Sequence, residues 1–252
     1  MNSPMPLAQR ELLEVSGVLI DFAGTLTTIP NDFDDREPWR AYLRSLGTSA
    51  PGTNSPDALA RLAEAERASW RDCVDHGRTW TLADILGHAS IPDREDARRA
   101  YFSCFTVGTT VSRSALRTLR TLAGARIPIV VVSNTLWPRE WIVKRLRDGG
   151  ALPYVRHVGV SSDHSYCKPH PAIFHEGMSR LGVDRPSRAV MVGDRLFEDI
   201  AGGARAGLRT LLIGGPHQAS AAHIQPTRRL ATIGRLPGAI GVRAAWRSSE
   251  GG

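Results

Sequence analysis

Lysine is almost missing from this 252-residue chain: its 32 Lys and Arg residues include only Lys144 and Lys168. Any chemistry that requires a lysine amine therefore has two places to reside, and none between residues 1 and 143. Long apolar runs are missing too. IPIVVV at 127–132 is the longest near the middle of the chain, far short of the ~20 residues that span a bilayer. The opening residues, MNSPMPLAQRELLE, lack the basic-then-apolar pattern of a secretion signal. These absences lead to the expectation of a cytoplasmic protein with no membrane partner. Cysteine is sparse and odd in number: Cys73, Cys104 and Cys167. That pattern predicts reduced thiols rather than a disulfide framework.

What is present suits a soluble globular chain, with 42% hydrophobic and 23% charged residues, and 252 residues suffice for a sizeable core. Charge is unevenly placed. Residues 1–105 carry a net −5 and residues 106–252 a net +12. A basic half can attract a polyanion, a small phosphorylated substrate, or nothing specific. No nucleic-acid motif accompanies it, so nucleic acid is not an expected partner, and no motif specifies an oligomeric state.

From about 106 onward, helix-like and strand-like segments alternate. The helices are read at 111–124, 138–150, 170–182 and 198–207, and the strands at IPIVVVSN, 157–162, 188–194 and 208–215. Together with the strand GVLI near the start, this alternation predicts an α/β fold: a doubly wound, Rossmann-like parallel sheet. Residues 27–105 break the rhythm. SPDALARLAEAERASWRDCVDHG (55–77) and REDARRAYFSCF (94–105) read as amphipathic helices. In the first, Leu59, Leu62, Ala63, Trp70 and Val74 can share a packing face. The expected organisation is a discontinuous core, 1–26 and 106–245, a helical insertion at 27–105, and a frayed tail at 246–252.

Four polar elements end up at the carboxyl ends of predicted strands: Asp21 after GVLI, Ser133 after IVVV, Lys168 after HVGVSS, and Asp194 with Asp199 after RAVMVG. In an open parallel sheet those ends border one ligand crevice. Taken singly, each has an ordinary reading: a turn former, a helix cap, an exposed loop residue or a helix-terminal acid. Their shared placement argues for a site.

These segments, DFAGTL, VVVSN, CKPHPAIF and VGDRLFEDI, resemble the four motifs of the haloacid dehalogenase superfamily, over roughly residues 15–30 and 106–240. The insertion resembles the helical cap that many members carry after the first motif. The resemblance implies a hydrolase acting on a small phosphorylated metabolite through an aspartyl-phosphate. Asp21 would be the nucleophile. Ser133 would hydrogen-bond the transferring group, and Lys168 would neutralise its charge. Gly24, Thr25 and Asn134 would shape the phosphate site. Mg²⁺ would be held by Asp21, the backbone carbonyl of Ala23, Asp194 and Asp199, hard oxygen donors that suit that ion. Two acids in GDRLFED favour phosphoryl chemistry over halide removal, which in this superfamily needs no metal.

Ala23 departs from the pattern, which usually has an aspartate there to protonate the leaving oxygen. A positioned acid or base is worth about 10²–10⁴-fold. The substitution therefore suggests a good leaving group, a proton donor elsewhere (Asp32, Asp34, Asp35, His76, His164 or His170), or a protein that binds without turnover. The phosphonate-cleaving branch of the superfamily also has Asp-x-Ala-Gly-Thr, but it uses a cap lysine as an imine former. Residues 27–105 contain none, and Arg cannot replace it.

Overall fold

A computed structural model of the protein describes residues 14–28, 34–47, 56–105, 110–214 and 223–242. Its centre is a six-stranded, all-parallel sheet: β1 (Gly17–Ile20), β2 (Ile129–Ser133), β3 (His157–Val160), β4 (Ala189–Gly193), β5 (Arg209–Ile213) and β6 (Arg228–Leu230), in the order β3-β2-β1-β4-β5-β6. The central strands are buried on both faces, which is why they read as continuous apolar runs. Alternate side chains feed two cores. Val18, Ile20, Val131 and Val192 pack on one face with Leu119 and Leu122 of α5 (Arg113–Gly124) and Ile142 of α6 (Arg139–Asp148). Leu19, Val130 and Met191 pack on the other with Phe174 and Met178 of α7 (Pro171–Leu181). Each such buried side chain stabilises the fold by roughly 1.5–3 kcal/mol.

The first connection is the long one. Between β1 and α5 lie α1 (Glu37–Leu46), α2 (Pro56–His76), α3 (Leu82–His88) and α4 (Glu95–Ser103). They surround their own cluster, which includes Trp39, Tyr42, Leu62, Leu86 and Tyr101 and also draws in Leu136 from the core side. The chain leaves and returns side by side, since Thr27 and Val111 form an antiparallel bridge. The expected boundary at 105/106 and the tail at 246–252 involve residues outside those described. α1, α3 and β6 were not foreseen from the sequence: α3 has only seven residues, and β6 is a three-residue edge strand.

Two expectations need correction. The predicted packing face of α2 splits: Leu62 is fully buried, whereas Trp70 and Val74 are 42% and 41% exposed. The buried side of the helix is instead Ala58, Leu62, Ala65 and Ser69, an i, i+4, i+7, i+11 row that follows the 3.6-residue period more closely. Likewise, the cysteines are not all free thiols. Cys73, near the end of α2, and Cys167, in the loop before α7, form a disulfide across 94 residues of sequence, with Cα atoms 6.1 Å apart. Cys104 is free. The fold lays α2 over that loop, a neighbourhood that cysteine spacing does not encode.

Candidate active site

Asp21 follows the last residue of β1, the strand between β2 and β4. Its carboxylate, Ser133 at the end of β2 and Lys168 beyond β3 are all buried: Asp21 6%, Ser133 2% and Lys168 2% exposed. The Lys168 ammonium donates to Asp21 Oδ1 at 2.7 Å, to Asp199 Oδ1 at 2.7 Å and to the Val132 carbonyl at 3.0 Å. All three of its protons are thereby satisfied without solvent.

Asp199 is completely buried. It is carried by a wide π-helical turn, Leu196–Ala201, which precedes α8 (Gly202–Arg205). A regular helix from 198 was expected there. The wider turn returns the Asp199 side chain toward β4, where its Oδ2 accepts from the Arg195 amide at 3.0 Å. Gly193 leaves room for it: a Cβ at that position would lie 2.1 Å from Asp199 Oδ2. Gly24 serves Asp194 in the same way. Its φ is +82°, in the region that favours glycine, and a Cβ there would lie 2.5 Å from Asp194 Oδ2. Thr25, expected in the phosphate-binding turn, donates its hydroxyl to Asp194 Oδ1 at 3.2 Å.

Asp21, Asp194 and Asp199 bring carboxylate oxygens within 4.8 Å of one another. Burial pushes the Asp21 carboxyl up to about 7. The Lys168 charge opposes that rise, and the Asp199 and Asp194 charges add to it. Burial also raises Asp194, and the charge of Asp199 adds to the effect. For Lys168, burial pulls downward, but the two carboxylates outweigh it and hold the ammonium above the ordinary lysine range. Three acids facing one resident cation form a site that needs more positive charge, and its hard oxygen donors suit Mg²⁺.

Asn134 does something the sequence did not suggest. Its Oδ1 accepts from the Lys168 amide at 2.7 Å and its Nδ2 donates to the Lys168 carbonyl at 2.7 Å. The side-chain amide expected to contact phosphate is therefore engaged in fixing the backbone of Lys168. Among the described residues the Ser133 hydroxyl has one weak partner, the Asn134 carbonyl at 3.5 Å, so it can turn toward a ligand.

The site opens into a cavity of about 490 Å³ whose lining includes Asp21, Ala23, Ser133 and Lys168 from the core and Glu66 and Trp70 from α2. Arg195, Glu198 and Trp137 also line it; nothing in the motif pattern had singled them out. The alternative proton donors fall elsewhere. Asp34 pairs with Arg40, His76 with Asp72 at 2.8 Å, and His164 with Glu176 at 2.9 Å. His170 accepts from the Ala172 amide at 3.3 Å. None of these, nor Asp35, lines the cavity, and Asp32 lies outside the described residues.

Residues 15–207 match the family model of haloacid dehalogenase-like hydrolases, and the chain belongs to that family. Among curated relatives, it is 38% identical over 96 residues to a glyceraldehyde 3-phosphate phosphatase of Methanopyrus kandleri, a match covering 38% of this chain and 40% of that protein. The matches to curated relatives span less than half of those proteins' lengths, 46% at most. Among solved structures, the HAD-hydrolase YfnB of Bacillus subtilis, bound to magnesium, superimposes with a TM-score of 0.64 at 20% identity, covering 91% of this chain and 100% of that one. A 2-haloacid dehalogenase of Pseudomonas syringae gives 0.63 at 25% identity, over 90% and 98%. Among the described residues, no helix is long and apolar enough to cross a membrane.

Proposed function

We propose that this protein is a Mg²⁺-dependent phosphohydrolase of a small phosphorylated metabolite, working through an aspartyl-phosphate on Asp21. The observation that carries the reading is the position of the Lys168 ammonium, 2.7 Å from both Asp21 and Asp199, with Asp194 completing a carboxylate cluster of which Asp21 lines the cavity. The phosphatase name of the Methanopyrus relative and the magnesium in the YfnB structure agree with it.

In the first step an Asp21 oxygen bonds to phosphorus while the bond to the leaving oxygen breaks. The Lys168 ammonium offsets the charge of nucleophile and phosphoryl group, and the Ser133 hydroxyl donates to a phosphoryl oxygen. Asp21, Asp194, Asp199 and the Ala23 carbonyl would hold Mg²⁺, which supplies further charge neutralisation to the phosphoryl oxygens. Ala23 has no proton to give, so the leaving oxygen departs as an anion and is protonated by solvent. That restricts efficient turnover to good leaving groups, such as acyl phosphates, phosphoanhydrides or acidic hydroxyls. In the second step water bonds to phosphorus and loses a proton to solvent, the phosphorus–oxygen bond to Asp21 breaks, and phosphate leaves as the Asp21 carboxylate is restored. The helical insert acts as a cap that shields these steps from bulk water and selects the substrate.

The test is phosphate release from a panel of acyl phosphates, nucleotides and aryl phosphates with Mg²⁺. Activity should fall by roughly 10³-fold or more in Asp21→Asn, together with loss of the phosphorylated protein intermediate. A folded protein inactive on the whole panel overturns the proposal. Ala23 favours one alternative, a protein that binds phosphate without turnover, which predicts ligand affinity indifferent to Asp21→Asn.

A further inference from the structure

The far end of the cavity has a chemistry of its own. Glu66, Trp70 and Val74 form an i, i+4, i+8 stripe on α2, and Tyr101 and Phe105 face them from α4 and the residues just beyond it, beside Trp137. Trp70 and Val74 are the large apolar side chains left exposed among the described residues, and both line this cavity. The rings are closely arranged, with centroids of Tyr101 and Phe105 5.3 Å apart and those of Phe105 and Trp137 4.6 Å apart. Within this aromatic wall sits the carboxylate of Glu66. Glu66 accepts from the Trp39 indole at 2.6 Å. Among the described residues no basic side chain forms an ion pair with it, and the adjacent Arg67 is turned to Glu64 at 2.8 Å. Burial raises the Glu66 carboxyl above its ordinary value and the charge of Asp35 adds to the rise, while the Trp39 hydrogen bond and the more distant charge of Arg67 oppose it.

An electron-rich wall around an unpaired acid is a binding site for a cation. Ring faces attract ammonium groups through their quadrupole, and the attraction grows on desolvation. A plain aromatic or sugar leaving group would leave the Glu66 charge unanswered. We propose that the cavity takes a phosphorylated compound with two charged ends: the phosphate lies against Lys168 and the carboxylate cluster, and an alkylammonium lies between Glu66 and the rings of Trp70, Tyr101, Phe105 and Trp137. The assignment rests on the phosphohydrolase reading for its phosphate end.

The experiment compares two non-hydrolysable phosphonates of matching shape by calorimetry on the intact chain with Mg²⁺. One is 3-(trimethylammonio)propylphosphonate and the other its neutral isostere, 4,4-dimethylpentylphosphonate. The cationic probe should bind roughly tenfold more tightly. The ratio should collapse toward one in Glu66→Gln and shrink in Trp70→Leu, a change at a half-exposed position that the fold tolerates. Equal affinities, a preference for the neutral probe, or a cation preference that survives Glu66→Gln overturns the assignment. If neither probe binds while inorganic phosphate does, the cation site is wrong and the phosphohydrolase reading stands. If inorganic phosphate also fails to bind, both fall.

Discussion

Asn134 and Lys168, 34 residues apart, hold each other through two reciprocal hydrogen bonds of 2.7 Å, amide side chain to peptide backbone. The end of β2 thus sets the path of the loop that carries the ammonium into the site. Asn134→Ala removes both bonds, each worth about 1 kcal/mol net, and leaves a buried peptide group without its partners. The expected result is a melting temperature lower by several degrees and a fall in kcat larger than any change in KM. Asn134→Asp, which keeps the acceptor alone, should be intermediate. Unchanged kinetics in the alanine variant would show that the loop holds Lys168 without this clamp.

Cys73 and Cys167 fasten α2 to the residue next to Lys168. A cross-link closing 94 residues is worth about 2–5 kcal/mol, mostly by constraining the unfolded chain. Treatment with a phosphine reductant should therefore lower the melting temperature by roughly 5–15 °C. Alkylation of unreduced protein followed by mass spectrometry should label Cys104 and leave the pair unlabelled. Labelling of all three cysteines in protein purified without reductant would refute the bond. The pair also bears on location, since disulfides persist mainly in oxidising compartments.

Ala23→Asp places a proton donor beside the nucleophile. On 4-nitrophenyl phosphate, whose leaving group departs readily, the gain should be small. On a simple alkyl phosphate it should approach the about 10²–10⁴-fold typical of a positioned acid. Equal gains on both substrates would mean that proton transfer to the leaving group does not limit the native reaction.

Mg²⁺ should stabilise the protein more at pH 8 than at pH 5, read as the shift in melting temperature. The sign follows from Asp21. Its folded carboxyl titrates near 7, above the ordinary carboxylate range, so the metal-free folded state retains a proton that the unfolded state releases. Metal-free stability from this group is present at low pH and is lost as pH rises through about 7. Mg²⁺ requires the deprotonated carboxylate and competes with that proton at pH 5, whereas at pH 8 it binds unopposed and relieves the repulsion with Asp194 and Asp199. A shift that is equal at both pH values, or absent, would count against a Mg²⁺ site built on Asp21.

Much of the core was legible because a strand buried on both faces is apolar at every position, and a polar residue at its end stands out. Asp21, Ser133 and Asp194 could be placed on that ground alone. The helical insert was harder. The α2 stripe reads as one packing face, yet Leu62 lies in the core and Trp70 lines the cavity. An apolar side chain facing a neighbouring helix has the same sequence signature as one facing a ligand. Asn134 was readable as polar and near the site, but its bonding to the Lys168 backbone was not, because that contact joins two loops far apart in the chain.

The parallel sheet, the order of its motifs and the acids and lysine available for chemistry could be read from the residues in line, because those follow from local periodicity and from which residue types exist at all. Which groups meet came from the folded chain: Glu66 beside Trp70 and Tyr101 in the cavity, Cys73 against Cys167, and Asp199 turned back on Lys168 by a widened helical turn. Contacts between residues dozens of positions apart depend on how helices seat on the sheet, and that seating is settled by the packing of the whole chain rather than by any stretch of it.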